Sequence, residues 1–412
     1  MKGKPLNGVK ILDLGWIFSA PFATSILHDL GAEVVKVERP ITGDRSRLLP
    51  PFQNQTSGYF FMLNRGKKSI SIDLKSDEGK RIFLELIKHF DVVVENFVAH
   101  TMDKLGLGYD VMKEINPRII YASLNGFGSS GPYSELPCID GIAQAMGGLM
   151  SQNGLPDGQP LKTGPAVADT LSGVYLTVGI LSALIDRNRS GNGQRLEVSM
   201  MDSVFSVLEE SVIRASMTGD ALPARGNLDP LGAPWNAFQT ADDKWVMVCT
   251  SGGDHFYQIY QLIGRGDLAE KFKGDDWQAF EKRAKNLELL NSAFAVWAKT
   301  KMAEELLAVL IAIGIPAGEV KNVRDLIDDP HVKERNMVVD VDHPILGKVK
   351  LPNLPIKFFE NELGLRTGEV PIEPQLGEHN QMILQKYLGL NQDEIQHLKQ
   401  TSVIYDDGST NC

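Results

Sequence analysis

The sequence predicts an α/β fold built on a parallel sheet. Two patterns carry that expectation. Short apolar runs of strand length alternate with stretches of helical spacing, and glycines and prolines fall between them. A third observation is length. At roughly 100–200 residues per domain, 412 residues make two or so domains with substantial cores.

The elements follow in order. VKILDLG (9–15) is an apolar run ending at Gly15. APFATSILHDLGA (20–32) has helical spacing and stops at Gly31. EVVKVERP (33–40) is a second strand with Pro40 at its end. A strand–helix–strand unit of this kind starts a parallel sheet. KSISIDL (68–74) and DVVVENF (91–97) are strands, and SDEGKRIFLELIKHF (76–90) is a helix with Ser76 as its N-cap. HTMDKLG (100–106) and YDVMKEINP (109–117) are short helices ahead of a strand, RIIYASLNGFG (118–128). A long helix is expected over 170–187, then the turn NRSGNGQ (188–194), the strand RLEVSM (195–200) and a second long helix over 201–218. The Gly- and Pro-rich stretch 218–236 marks a domain boundary. Beyond it come the strand KWVMVCT (244–250), the helix DHFYQIYQLIG (254–264) and the amphipathic helix KMAEELLAVLIAIG (301–314), ended by Gly314 with Pro316 after it. Residues 366–380 read as an extended return segment, and the polar tail 405–412 as frayed. No internal repeat is visible.

Composition narrows the function. A net charge of −10 argues against a general nucleic-acid role, although it leaves room for a local basic patch around a phosphorylated ligand. Cys138, Cys249 and Cys412 are far apart and form no CxxC pair, which argues against a disulfide scaffold or structural zinc. The eight histidines have no ligand spacing, and no metal is expected. No long apolar stretch precedes a cleavage site near the N-terminus. The most apolar segment, LSGVYLTVGILSALI (171–185), is too short and polar-flecked for a membrane span. We therefore expect a soluble cytoplasmic protein. The first turn, GWIFSAP (15–21), lacks the GxGxxG fingerprint, so a nicotinamide cofactor has no support, and there is no P-loop.

Asp169 is the acid at the mouth of the long apolar helix, and no further charge follows until Asp186. One reading is a helix N-cap, since an Asp oxygen accepts from the first free N–H groups. The other is a nucleophilic carboxylate, activated where a helix N-terminus supplies donors that also hold an oxyanion on an acyl carbon. Spacing leaves both open.

Six segments carry a resemblance: ILDLGWIFSAPFATSILHDLGAEVVKVERP (11–40), NRGKKSISIDLKSDEGK (64–80), DVVVENF (91–97), YASLNGFGSSGPY (121–133), AVADTLSGVYLTVGILSALIDRNRSGNGQRLEVSMMDS (166–203) and LGEHN (376–380). Together and in order, over nearly the whole chain, they resemble the class III CoA-transferase, or CaiB/BaiF, family. The resemblance implies a Rossmann-like large domain made of residues 1–224 and 331–412, and a small α+β domain, 225–330. It implies two chains interlocked as a dimer. Asp169 falls on the family's catalytic aspartate. The implied reaction moves CoA from an acyl-CoA donor, with succinyl-CoA favoured, to a carboxylic acid acceptor through aspartyl anhydrides and an aspartyl-CoA thioester. Coenzyme A is then a co-substrate, and no permanently bound cofactor is implied. The partners are acyl-CoA and acids, with no nucleic acid and no membrane.

The resemblance also implies a coenzyme site. Arg39 matches the basic residue near the nucleotide, where a planar guanidinium suits phosphate. Ile72, Asp73, Leu74 and Lys75 match the adenine and phosphate loop. Asn96 and Phe97 match the channel lining, Phe18 and Ser19 the neighbourhood of the pantetheine, and Lys104 stands where the family often has Arg. Taken alone, Arg39 and Lys75 read as solvated charges and Phe97 as core. Asp140 matches an acidic position near the active site. Trp16 sits where some members have a smaller residue and so shapes the acyl pocket. Ile139 replaces a Tyr that many members carry. Trp235, with Asn236 and Phe238, reads as a wall of the site or as core packing. The long glycine-rich loop of formyl-CoA:oxalate transferases is missing, and only Gly252 and Gly253 follow VMVCTS, which speaks against those substrates. Two alternatives remain. The α-methylacyl-CoA racemases share the implied fold and pair the Asp with a His in a GHD-like motif, whereas this chain reads Cys138-Ile139-Asp140. Proton removal and return on opposite faces needs two acid–base groups. The other alternative is an acyl-CoA-binding subunit of a heteromeric transferase.

Overall fold

In the computed structural model, which describes residues 3–156, 158–229, 232–250, 252–360 and 363–407, the N-terminal apolar runs form a six-stranded parallel sheet. Its strands are β1 (Lys10–Asp13), β2 (Glu33–Glu38), β3 (Lys68–Ser71), β4 (Val92–Glu95), β5 (Ile120–Asn125) and β6 (Arg195–Ser199). Their order across the sheet is β3-β2-β1-β4-β5-β6. The chain first adds strands on one side of β1, then returns to add the rest on the other. This is the doubly wound order, and its crevice lies beyond the carboxyl ends of β1 and β4.

Helices cover both faces, so strands β1 to β5 are largely buried, while the edge strand β6 is partly exposed. Leu12, Val35, Val37, Ile70 and Val93 face a core shared with helix α2 (Asp77–Ile87) and the C-terminal helices Asn380–Leu388 and Gln392–Gln400. Ile11, Val34, Val92, Val94 and Ala122 face the opposite core, with Ala20, Ala23 and Leu27 of α1 (Ser19–Asp29) and Leu176 and Ile180 of the long helix. The end of the 366–380 segment returns to β3. The Asn380 side chain accepts from Ser71 N at 2.8 Å, and His379 N donates to Ser69 O at 2.9 Å.

Several expectations are revised. The long helix runs over Val167–Ser190 and ends at Gly191 in the left-handed conformation, which a glycine adopts freely. At 24 residues it is long and apolar enough to cross a membrane by length and composition, so the short-segment reading was wrong. It is nevertheless a core helix: Ala168, Ser172, Gly173, Leu176, Thr177, Ile180 and Ala183 are buried against the larger unit. The helix expected over 201–218 is two helices, Met200–Phe205 and Ser211–Thr218. Glu209, at φ 49°, breaks the repeat between them.

The chain forms two compact units. One comprises Met1–Met150, Lys162–Met217 and Pro330–Cys412; the other, Ser151–Leu161 and Thr218–Asp329. The divisions at 217/218 and 329/330 fall seven residues and one residue before the 224/225 and 330/331 cuts read from sequence. Ser151–Leu161, read from sequence as part of the larger domain, groups with the smaller unit, and within it Gly226 N donates to Gly154 O at 2.7 Å. The smaller unit has an antiparallel three-stranded sheet of Trp235–Gln239, Trp245–Cys249 and Ala317–Glu319. Its own core holds Phe238, Val246, Val248, Phe256, Phe294 and Leu306. Cys412 and the end of the polar tail, 408–412, lie outside the described residues.

Candidate active site

A cavity of about 280 Å³ opens at the carboxyl end of the parallel sheet. That volume is at the lower end for small-ligand sites. Its walls come from the turn after β1 (Trp16, Ile17, Phe18, Ser19), Arg39 after β2, the turn after β4 (Asn96, Phe97, Val98, Ala99), the end of β5, the 134–139 segment, Met200, and Asp169.

The turn after β1 is held from below. A Cβ on Gly15 would stand 2.7 Å from Asp13 Oδ1 and 2.8 Å from the Ala20 Cβ, so only glycine fits this close approach. Lys36, fully buried in β2, donates to Gly15 O at 2.7 Å and pairs with Asp44 at 2.8 Å. Asp44 Oδ1 accepts from Ile17 N at 3.1 Å. Ile17 is thereby kept at φ 64°, a conformation costly for a β-branched residue. Beside Lys36, the buried Lys67 donates to Asp13, Thr24, Asn64 and Pro21 O; burial lowers its ammonium to about 8.

Asn96 fastens the turn from the side. Its Oδ1 accepts from Trp16 N at 2.7 Å. Its Nδ2 donates to Trp16 O at 2.9 Å and to Ser19 Oγ at 3.0 Å. With that oxygen already accepting, the Ser19 hydroxyl can donate toward the Asp169 carboxylate, whose ionised form it favours. The Trp16 ring packs edge-on to Phe97, and the Arg39 guanidinium lies 4.3 Å from its centroid. A stacked guanidinium keeps its edge N–H groups for an anion.

Asp169 lies in the first turn of the long helix but does not cap it. The N-cap position is Ala166, which has no side-chain acceptor. Asp140, the first residue of a helix over Asp140–Met146, supplies the acceptor instead. Its Oδ1 takes Ala168 N at 2.9 Å and Asp169 N at 3.4 Å. The Asp169 carboxylate is therefore free to face the cavity. Burial pushes its carboxyl up to about 6, the nearby Asp140 charge adds to the rise, and the Ser19 hydrogen bond opposes it. The same neighbourhood pushes the Cys138 thiol up to about 11, through burial and then the Asp169 charge. Gly126 makes room for Cys138: a Cβ there would sit 2.1 Å from the Cys138 Cβ.

The structure gathers Trp16, Phe18, Ser19, Arg39, Asn96, Phe97, Ile139 and Asp169 around this cavity. It does not bring in the others. Ile72 is a core residue with 1% exposure, and its N–H is spent on Glu38 O at 2.9 Å. Asp73 accepts from Lys75 N at 3.0 Å, Leu74 packs on the core, and Lys75 is exposed; all follow β3 on the same edge of the sheet. Lys104 is exposed on the short helix Thr101–Lys104. Asp140 is behind the wall, bonded to the helix start. Trp235 belongs to the smaller unit, where its N donates to Asn291 Oδ1 at 3.1 Å and Phe238 is core. Sequence reasoning missed Cys138, Met200, Asn125 and the Lys36–Asp44 pair. The one available signal was a Lys and a Glu inside the apolar run EVVKVE.

Residues 6–380 match the CoA-transferase family III. The chain is 37% identical, over 98% of its length and 100% of the relative, to a formyl-CoA:oxalate CoA-transferase of Streptomyces coelicolor. It is 38% identical, over 92% of its length and 95% of the relative, to a succinyl-CoA:mesaconate CoA-transferase of Haloarcula hispanica. Among solved structures, a CaiB/BaiF family protein from Brucella suis superposes with a TM-score of 0.81 at 34% identity, covering 94% of this chain and all of that one.

Proposed function

The chain belongs to CoA-transferase family III, an enzyme family, and from that premise we propose that it moves coenzyme A between small carboxylic acids through covalent chemistry at Asp169. The observation that carries this reading is the placement of Asp169. It is a cavity carboxylate relieved of capping duty by Asp140, with the Ser19 hydroxyl beside it in the same wall. A partly desolvated carboxylate is a better nucleophile than a hydrated one.

The Asp169 oxygen attacks the donor thioester carbonyl. The C–S bond breaks, a mixed anhydride forms and CoA leaves as thiolate. The thiolate attacks the Asp169 carbonyl carbon, the anhydride C–O bond breaks, and the donor acid departs. Asp169 now carries CoA as a thioester. The acceptor carboxylate attacks that carbonyl and releases the thiolate, which attacks the acceptor's acyl carbon and restores the Asp169 carboxylate. Overall one thioester is exchanged for another, with the anhydrides only transient, so the cycle needs no ATP. In this reading Ser19 orients the nucleophile, Arg39 meets coenzyme phosphate, and Trp16 with Phe97 walls the narrow channel.

The activities named for the two relatives support a small acyl group, and the cavity's size agrees with one. Succinyl-CoA is the donor to test first. Formyl-CoA and oxalate are the second pair, because the Streptomyces relative bears those substrates in its name although this chain lacks the glycine-rich loop. The racemase reading has less support: no histidine is among the residues lining the cavity, and Cys138 is held as the thiol. Exposed apolar side chains on the long helix, Val178 and Ile185, support assembly with a second chain. The free thiols of Cys138 and Cys249 favour a reducing, cytoplasmic setting.

The test is isotope exchange. With succinyl-CoA, labelled succinate and no acceptor, label should enter succinyl-CoA without ATP, because the donor acid leaves before the acceptor arrives. Transfer to an acceptor without that exchange would overturn the covalent route.

A further inference from the structure

We infer that Asp140 is a positioning residue for Asp169: it anchors the first turn of the helix that carries the nucleophile and sets the field at its carboxylate, without touching substrate. The inference rests on the reading of Asp169 as nucleophile. Its grounds are geometric. The chain leaves the cavity wall at Cys138 and Ile139 and turns inward at Asp140. Both Asp140 oxygens are committed there. Oδ1 holds Ala168 N and Asp169 N, and Oδ2 accepts from Gln144 Nε2 at 2.8 Å. Gln144, fully buried, in turn accepts from Thr163 N at 3.0 Å, so the segment entering the long helix is tied to the same pair. The helix's own N-cap residue, Ala166, contributes no such bond.

Asp169 is thus positioned by a side chain from another helix. The chain has a short Asp here, whose reach matches these two amides. The polar and titratable groups around Asp169 are Ser19 from the turn after β1, Tyr59 from the helix Gly58–Asn64, Cys138 and Asp140 from the preceding segment, and Arg39 on the cavity wall. Of these, Asp140 is the other carboxylate. A negative charge beside the helix start disfavours ionisation of Asp169, which keeps the nucleophile's affinity for an acyl carbon high.

The test reads the coupling without relying on activity. The melting-temperature difference between Asp169→Asn and its parent is followed from pH 3.5 to 8.5 in two backgrounds, wild type and Asp140→Asn. In the wild-type background the advantage of Asp169→Asn should grow from about pH 4 and level off near 6, since only the folded carboxyl resists ionisation in that window. In the Asp140→Asn background the levelling-off should move down by about half a pH unit or more. Asp140→Ser, also neutral and able to accept, serves if Asp140→Asn does not fold. An unmoved levelling-off point overturns the inference. In parallel, Asp140→Ala should lower kcat about 10-fold with little change in the KM for acyl-CoA, as loss of alignment rather than of binding. A rise in KM with kcat intact would instead place Asp140 on the substrate and overturn its positioning role. If wild-type Asp169 forms no covalent adduct, the nucleophile reading fails while the melting data still decide the coupling.

Discussion

In the proposed cycle the Asp169 carboxyl, raised to about 6, attacks the thioester as the carboxylate and must first be ionised. Activity should therefore fall on the acid side with a midpoint near 6 and run flat above it until another group titrates, and a kcat–pH profile checks this. An acid limb near the ordinary carboxylate range, around 4, would mean that burial does not govern the nucleophile. The sequence contained Asp169, Ser19 and Asn96 but not their linkage. Asn96 was read as channel lining, yet its amide is spent on Trp16 and Ser19. Nothing in a linear pattern says that an amide 80 residues away will fix a turn. Asp140 was legible only as an acid of unstated role, because helix capping from another helix leaves no local spacing signal.

At the scale of elements, the site depends on how closely two helices approach. Gly173 lies four residues after Asp169, on the same face. A Cβ there would meet Ser19 O at 2.8 Å and the Phe22 ring at 3.0 Å. Gly173→Ala gains helix propensity of about 1 kcal/mol but must push the helix away from the Ser19 turn. We predict a kcat loss of at least about 10-fold with the fold retained, measured by steady-state kinetics beside circular dichroism. Unchanged kcat would mean that Ser19 does not orient Asp169. The buried Lys36–Asp44 pair gives a second prediction at this scale. Asp44→Ala leaves the ammonium buried beside Asp13 and Glu38, frees Ile17 N, and should cost about 3–5 kcal/mol in urea unfolding. The double change Lys36→Met/Asp44→Leu should recover part of that stability but not the acyl-CoA KM, because Ile17 stays unpinned. Helix lengths show the limits of pattern reading. The 201–218 periodicity was continuous in sequence, and a single left-handed residue, Glu209, divides it.

For the whole molecule, alternation of strand and helix was enough to give the parallel sheet. The strand order was not, because which edge each crossover returns to depends on packing. The switch point between β1 and β4 creates the crevice, and the Asp169 helix, packed against α1, presents its first turn to it. Family resemblance led to the same residue from the other direction. The central claim is that Asp169 carries CoA during turnover. The direct measurement is peptide mass spectrometry after incubation with succinyl-CoA and trapping with hydroxylamine, compared with Asp169→Asn. The account predicts a hydroxamate on the peptide that contains Asp169, absent in the variant, which also loses transfer. Transfer that continues in Asp169→Asn, or proceeds in the wild type with Asp169 unmodified throughout turnover, would contradict it.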